Sequence, residues 1–283
     1  MTIAVSSEHL EDALEKLEAI VAGRRIPQKE ELLRDATSKL PKPISNSLMY
    51  ATKNLLARVE IGRRYFIVLA GIDKAGKETQ CNNPKKEPGV ESLCDYLSKR
   101  GFNVHLVNLP TYGSPLGDLV GSYLGRPESK RKYEIKGQLP KDIAWILWSL
   151  DRAQHGQTIQ TILKKSEERN LVLSKRWTES QLAYQLANGV DAERILRFER
   201  NIIQPSHTFL IDISAEEAIR RMSKSGELPD IYEKVEYLRA VRQHYLNLHR
   251  YRGFLGEIIV IDGERSPIEV NRDILSRLLA LGY

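Results

Sequence analysis

The segment from Tyr65 to Gln80, YFIVLAGIDKAGKETQ, constrains the fold of this chain more than any other stretch. An apolar run of strand length leads into a loop that contains Gly71 and Gly76 and is followed by Lys77. In the pattern G-x-x-x-x-G-K-[ST], the glycines allow a tight turn, backbone N–H groups point at one spot, and the lysine neutralises phosphate. The segment therefore predicts a strand, a phosphate-binding turn and a helix, in that order.

Further short apolar runs follow the loop, and helical patterns separate them. These runs are NVHLV (103–107), NLVLS (170–174), HTFLID (207–212) and EIIVID (257–262). Strands that alternate with helices indicate a parallel sheet, and continuous aliphatic runs indicate burial on both faces. We therefore predict an α/β fold with a parallel five-stranded sheet of the P-loop NTPase type, flanked by helices. Functional residues are expected after the strands, at the carboxyl edge of the sheet.

The front of the chain has a different pattern. Residues 7–22 and 43–60 repeat apolar positions at helical spacing, and the segment is expected to be all-helical. We predict a helical extension over 1–62 and a P-loop domain over 63–283. Three roles fit the extension. It could be a dimerising hairpin, which would make the protein a homodimer, or a lid over the core, or a platform for a partner.

Charge and composition limit the partners. The formal net charge of +6 fits anionic substrates, and no basic stripe interleaved with aromatics argues for nucleic acid. No apolar stretch is long enough to cross a bilayer, so no membrane partner is expected. The opening residues lack an export signal, which makes the cytoplasm the expected location. The two cysteines are expected to be free thiols.

Several segments, in order, resemble one known family. They are FIVLAGIDKAGKETQ, NLPTYGSPLGDLVGSYL, WSLDRAQ, LVLSKRWTESQLAYQ, HTFLIDISAEEAIRR and VIDGERSPIEV. Together they resemble the thymidylate kinases, P-loop enzymes that phosphorylate dTMP with ATP, over nearly everything from Tyr65 to the C-terminus. The resemblance implies that ATP and dTMP are the nucleotide partners and that magnesium accompanies ATP.

The resemblance also implies roles for individual residues. Residues expected to bind ATP are Gly71, Asp73, Ala75, Gly76, Lys77, Glu78, Thr79 and Arg220. Catalysis is expected from Lys77 on the donor phosphates, Lys74 on the moving phosphoryl group and Arg176 on the acceptor phosphate. Residues 223–230, SKSGELPD, follow Arg220 and Arg221 and resemble the start of a mobile lid.

The acceptor nucleotide is assigned to a second set of residues. By resemblance, these are Asp73 at the sugar, Trp148 on the thymine, Arg152 and Arg176 on the phosphate, Ser180 near the base and Tyr184 beside the deoxyribose. Each also has a simpler explanation. Trp148 can be ordinary core, Arg152 can pair with Asp151 on a helix surface, and Tyr184 can merely pack.

The chain departs from the family pattern at the metal side. Glu78 replaces the hydroxyl after the loop lysine, although Thr79 follows, and Lys175 replaces an aspartate at the end of the third strand. The predicted metal ligands are Thr79 and Glu78. One hypothesis is that Glu78 and Lys175 form an ion pair that excludes magnesium. The competing hypothesis is that Glu78 binds the metal and Lys175 a phosphate.

Two further departures concern the loops. Tyr112 stands where an arginine often contacts phosphate, and residues 81–92 contain about nine more residues than the family uses. Because proline interrupts a helix, Pro84 and Pro88 predict that the helix after the loop ends near Asn83 and that helix resumes over 90–99. The function predicted is phosphorylation of dTMP to dTDP, and the alternative is a catalytically degraded, nucleotide-binding or regulatory relative.

Overall fold

The computed structural model describes residues 2–23, 29–59, 65–165, 169–225 and 234–283. Its helices and strands are β1 (Ile3–Ser6), α1 (Ser7–Ala22), α2 (Lys29–Ala36), α3 (Lys42–Leu56), β2 (Phe66–Ala70), α4 (Lys77–Cys81), α5 (Leu93–Lys99), β3 (Asn103–Asn108), α6 (Pro115–Tyr123), β4 (Tyr133–Lys136), α7 (Lys141–Ala153), α8 (Gly156–Lys164), β5 (Asn170–Lys175), α9 (Thr178–Ala187), α10 (Ala192–Phe198), β6 (His207–Asp212), α11 (Ala215–Ser225), α12 (Val235–Leu246), β7 (Glu257–Asp262) and α13 (Pro267–Ala280). No helix within the described ranges is long and apolar enough to cross a membrane.

The chain folds into two compact units. The first, called the sheet unit, comprises 61–108, 159–187 and 204–283, and the second, called the helical unit, comprises 1–60, 109–158 and 188–203. The first sixty residues therefore share a unit with two later parts of the chain. The predicted division at 62/63 stays a prediction.

The sheet unit contains a five-stranded parallel sheet in the order β3-β5-β2-β6-β7. All five residues of β2 are buried, as expected for a central strand with neighbours and covered faces on both sides. The predicted α/β class is confirmed, and each predicted strand agrees with the observed one to within one residue at either end.

The carboxyl ends of the strands meet at one edge of this sheet. Leu69 near the end of β2 lies opposite Lys175 of β5 and Phe209 of β6, and the Arg176 N–H donates to the Leu69 carbonyl at 2.9 Å. The loop after β2 and the turn after β5 consequently start side by side. This register places the phosphate-binding turn next to the Lys175–Arg176 pair.

The insert at 81–92 interrupts the helical path as predicted. Helix α4 ends at Cys81 and α5 begins at Leu93. Asn83 holds the turn together, because its Nδ2 donates to the Val90 carbonyl at 3.0 Å and its Oδ1 accepts from the Glu87 N–H at 2.8 Å. The prolines thus lie in a turn that is closed by its own hydrogen bonds.

The helical unit forms around α7, whose residues from Ile143 to Leu147 are buried. Helices α1, α3 and α6 each contact α7. The buried face of α1 repeats at helical spacing and consists of Leu10, Ala13, Leu14, Leu17, Ile20 and Val21. The Arg194 guanidinium fixes α1 to α10 through two hydrogen bonds of 2.5 Å to the Glu18 carboxylate.

The front segment is not all-helical, which corrects the sequence prediction. Its described residues contain α1, α2 and α3, but they begin with β1, which pairs in parallel with β4. The Ile3 N–H donates to the Lys132 carbonyl at 2.8 Å. A four-residue strand is too short for its period to be read, and its pairing partner lies about 130 residues away.

Candidate functional site

The loop after β2 has the backbone of a tight turn that needs glycine. Gly71 has φ +135°, and a Cβ atom at this position would lie 2.4 Å from the Ile211 carbonyl oxygen. Gly76 has φ +95° at the N-cap of α4, and Lys74 also adopts a left-handed φ of +61°. The chain therefore turns directly from a buried strand into a helix N-terminus, where backbone N–H groups can face an anion.

Lys77 is the first residue of α4 and folds back over the loop. Its ammonium donates to the Gly71 carbonyl at 3.0 Å and to the Ile72 carbonyl at 2.7 Å. Burial lowers the pKa of Lys77 well below its usual range, and the nearby Arg176 guanidinium lowers it further. Its described hydrogen-bond partners are neutral carbonyl groups, and the nearby Asp73 carboxylate partly balances its charge.

Asp73, Arg176 and Tyr184, which sequence reasoning assigned separately, form one cluster. The Arg176 guanidinium pairs with the Asp73 carboxylate, and its Nη1 donates to the Gly71 carbonyl at 3.3 Å. The Tyr184 hydroxyl donates to Asp73 Oδ2 at 2.7 Å. Burial alone would raise the pKa of Asp73, but the Arg176 and Lys77 charges outweigh burial and lower it. Asp73 is thus held ionised inside the loop.

Helix α12 contributes two tyrosines to this region that the sequence did not single out. The Tyr245 hydroxyl donates to Ser180 Oγ at 2.7 Å, and the Tyr237 hydroxyl donates to the Tyr184 carbonyl at 2.9 Å. Tyr245 is buried. Nothing in the pattern of α12 distinguishes these tyrosines from ordinary packing residues, so Ser180 and Tyr184 have partners that sequence reasoning could not supply.

Arg221 contacts the loop, whereas Arg220 points to solvent. Arg221 Nη1 donates to the Lys74 carbonyl at 3.1 Å and its Nη2 to the Gly263 carbonyl at 2.9 Å. Arg220 is exposed and pairs with Glu217. Residues 226–230 of the predicted lid lie outside the described residues. The sequence could not rank two adjacent arginines, because only the packing of α11 separates them.

Glu78 and Lys175 form the ion pair predicted from the sequence. P-loop proteins hold magnesium through the hydroxyl after the loop lysine and a carboxylate from a neighbouring strand. An ammonium group has three donors and no acceptor, so Lys175 cannot be a ligand, and its charge repels a dication. Within the described residues, no group of three or more His, Cys, Asp or Glu side chains could hold a metal.

The residues at these two positions therefore do not fit a protein-held magnesium ion. Thr79, the other predicted ligand, is half-buried one position further along α4. Successive helical residues are rotated by about 100° around the helix axis, so Thr79 faces a different direction from Glu78. Its role as a ligand stays a prediction.

Helix α7 in the helical unit carries two of the predicted acceptor residues, Trp148 and Arg152. Trp148 is partly exposed among buried neighbours, and its ring centroid lies 5.4 Å from that of Tyr123 in an edge-to-face arrangement. This exposure distinguishes Trp148 from Trp145, which is fully buried. Trp148 is therefore not fully buried, and its stacking on the thymine stays a prediction.

Arg152, one turn after Trp148, is in a buried ion pair with Glu199 of the loop after α10. The two side chains are 4% and 1% exposed, and Ser149 Oγ donates to Glu199 Oε1 at 2.5 Å. Arg152 Nε is buried and has no hydrogen-bond partner among the described residues. The surface pair with Asp151 that the sequence allowed is not formed, and Glu199 is a partner that sequence reasoning missed.

Asp151 faces the other way and anchors the start of the segment after β3. Its Oδ2 accepts from the Thr111 N–H at 2.9 Å, and Thr111 Oγ1 lies 2.8 Å from His155 Nε2. Burial raises the pKa of Asp151 to about 6. In the same segment, the Arg126 guanidinium lies 3.6 Å from the centre of the Tyr112 ring. An arginine therefore packs on Tyr112, and no sequence motif includes both residues.

Comparisons with known proteins show the family to which the chain belongs. A family model described as thymidylate kinase matches residues 69–274. The probable thymidylate kinase of Pyrococcus horikoshii is 30% identical over 218 residues, which cover 76% of this chain and 95% of that protein. The thymidylate kinase of Halothermothrix orenii is 30% identical over 226 residues, covering 76% and 97%.

A solved structure agrees in fold. The thymidylate kinase of Candida albicans covers 77% of this chain and 92% of its own, with a TM-score of 0.56 and 21% sequence identity. At this identity the likeness supports the α/β architecture alone.

Proposed function

The chain belongs to the thymidylate kinase family, and from this membership we propose that it transfers the γ-phosphoryl group of ATP to dTMP, giving ADP and dTDP. It is a phosphotransferase. The observation that carries the proposal is the glycine-dependent turn after β2, which ends with Lys77 at the N-terminus of α4. This turn combines backbone N–H groups with a partly buried cation whose described hydrogen bonds go to two carbonyl groups of the loop.

The residues proposed to bind ATP lie in the sheet unit. Lys77 and the loop amides bind the ATP phosphates, and Lys74 offers a second cation in the same loop. An oxygen of the dTMP phosphate attacks the γ-phosphorus while the bond to the bridging oxygen breaks. The transition state carries dispersed negative charge, so the protein mainly positions and neutralises. No step depends on a protein-held magnesium ion, because Glu78 and Lys175 do not fit one.

The acceptor side is assigned to Trp148 and Arg152 of α7. The partial exposure of Trp148 supports stacking on the thymine. Arg152 binds the acceptor phosphate by exchanging its Glu199 partner for the phosphate oxygens, and its unpartnered Nε supports a further ligand. Asp73, Arg176, Ser180 and Tyr184 keep their predicted contacts with dTMP as part of this proposal.

For the front segment we propose a structural role only. Burial of α1 against α7 supports a structural role for the front segment within the helical unit. A homodimer and a cytoplasmic location remain predictions from the sequence.

Coupled measurement of ADP release with ATP and dTMP tests the function. ADP release should require dTMP and should be lower with dCMP or dGMP. Lys77→Met should lower kcat/KM by about a hundredfold or more, because it removes the positive charge that is proposed to bind the phosphates. Lys99→Met is the matched control, since that lysine is 73% exposed on α5, and it should behave as wild type.

Two outcomes would contradict the proposal. ADP release that is the same with and without dTMP would exclude dTMP as acceptor. Thermal stabilisation by dTMP without any turnover would indicate a nucleotide-binding protein instead of a kinase.

A further inference from the structure

The Glu78–Lys175 ion pair is asymmetric in its exposure. The Lys175 side chain is 14% exposed and the Glu78 side chain is 52% exposed. Lys175 ends β5 opposite Leu69 of β2, and Glu78 follows Lys77 in the first turn of α4. A nearly buried ammonium needs an anion beside it, whereas a half-exposed carboxylate can return to water at little cost.

The pair lies within a cluster of charges around the loop. The Lys175 charge is close enough to Lys77 to contribute to lowering the pKa of that lysine, after burial and Arg176. Arg176 is compensated by Asp73, Lys175 by Glu78, and Lys77 is held by two carbonyls. Of the two carboxylates in these described pairs, Glu78 is the more exposed, at 52% against 29% for Asp73, and is therefore the one that can more easily return to water.

We propose that Lys175 binds the phosphates of the donor nucleotide at the position where other P-loop proteins hold magnesium, and that Glu78 is its counter-ion only while no nucleotide is bound. This inference rests on the proposed function, since it names how the same site takes its donor. Phosphate oxygens accept charge-assisted hydrogen bonds from lysine and displace the half-exposed carboxylate, which turns to solvent.

The consequence is an unusual metal dependence. An ammonium built into β5 supplies part of the positive charge that a divalent ion supplies elsewhere, and it repels such an ion from the same place. Nucleotide affinity should therefore depend on Lys175 and change little when magnesium is removed.

Calorimetric titration of the full chain with a non-hydrolysable ATP analogue, without acceptor, tests this inference in excess EDTA and in excess magnesium. The wild-type Kd should differ by less than about tenfold between the two conditions. Lys175→Gln should weaken binding in EDTA by about tenfold or more, because a phosphate contact is lost. Glu78→Gln should bind at least as tightly as wild type in EDTA, because no carboxylate competes.

Two further variants complete the design. The double variant Glu78→Ser with Lys175→Asp supplies the donor types that magnesium prefers, and it should gain about tenfold or more in affinity from magnesium. Lys99→Gln removes the same charge from an exposed pair with Glu91 and should bind as wild type in both conditions.

The outcomes separate the inference from the function. Tightening of wild-type binding by about tenfold or more with magnesium, or unchanged binding by folded Lys175→Gln, overturns the inference and leaves the kinase proposal standing. Absence of nucleotide binding by folded wild type in both conditions overturns the kinase proposal. If Lys175→Gln does not fold by circular dichroism, the wild-type metal comparison and Glu78→Gln decide.

Discussion

Replacing Glu199 by glutamine tests how the helical unit holds Arg152, and its cost follows from burial. The two side chains are 4% and 1% exposed, so Glu199→Gln leaves a guanidinium charge without compensation away from water. Removing one partner of such a pair costs about 3–5 kcal/mol of unfolding free energy. Arg152→Met should cost a similar amount for the converse reason. The double variant should cost at least about 2 kcal/mol less than the two single costs added, because no uncompensated charge remains.

Urea unfolding followed by tryptophan fluorescence measures these costs. Trp145 and Trp148 lie in the same helix as Arg152 and report on the helical unit. Glu18→Gln is the matched control, because its pair with Arg194 is more exposed, at 18% and 28%, and should cost about 1 kcal/mol or less.

The same variants connect stability to the acceptor. If the dTMP phosphate takes the place of Glu199, dTMP should raise the thermal midpoint of Glu199→Gln more than that of wild type, since nothing competes for Arg152. A cost below about 1 kcal/mol for Glu199→Gln, with additive single and double variants, would refute the argument from burial. Equal stabilisation of wild type and Glu199→Gln by dTMP would refute the exchange of partners.

Three other predictions follow from single positions. Gly71→Ala should lower the unfolding free energy in urea by about 3 kcal/mol or more, because its Cβ would lie 2.4 Å from a carbonyl oxygen. Gly76→Ala should lower it by about 1 kcal/mol, because a Cβ there has no atom within 4 Å. Equal losses in the two variants would contradict this prediction. Because the pKa of Asp151 is raised to about 6, the stability from this group is complete below about pH 4 and is lost as pH rises to about 6, a change of about 3 kcal/mol. Asp151→Asn should remove that decline, and identical pH profiles of unfolding free energy would contradict it. Trp148→Ala should raise the KM for dTMP by about tenfold with a smaller change in kcat, and an unchanged KM would argue against stacking.

The sheet and the loop were predictable because both leave local patterns. Buried parallel strands read as continuous aliphatic runs, and the turn after β2 needs glycine at fixed positions. The Glu78–Lys175 contact was also predictable, because strand order places the helix after the β2 loop beside the end of β5, and the two residues carry opposite charges there. In each case the sequence signal is short-range or is fixed by strand order.

The partners of individual side chains were not predictable, because they depend on packing between distant segments. Arg152 and Glu199 are 47 residues apart, and neither belongs to a pattern that points at the other. The same holds for the stacking of Arg126 on Tyr112 and for the hydroxyl contact of Tyr245 with Ser180. The sequence did not indicate that Arg152 is buried, because the two roles considered for it were binding of the acceptor phosphate and a surface pair with Asp151.

The helical unit is closed by three stretches of chain that are far apart in sequence. The α1 face that packs in this unit includes Leu10, Leu14 and Leu17, and Glu18 binds Arg194 from a stretch beyond α9. Cutting away the first sixty residues would therefore uncover apolar surface and unpair a cation, so such a fragment should aggregate. The front segment is therefore an integral part of the helical unit, and it cannot be removed without exposing the residues on which it packs.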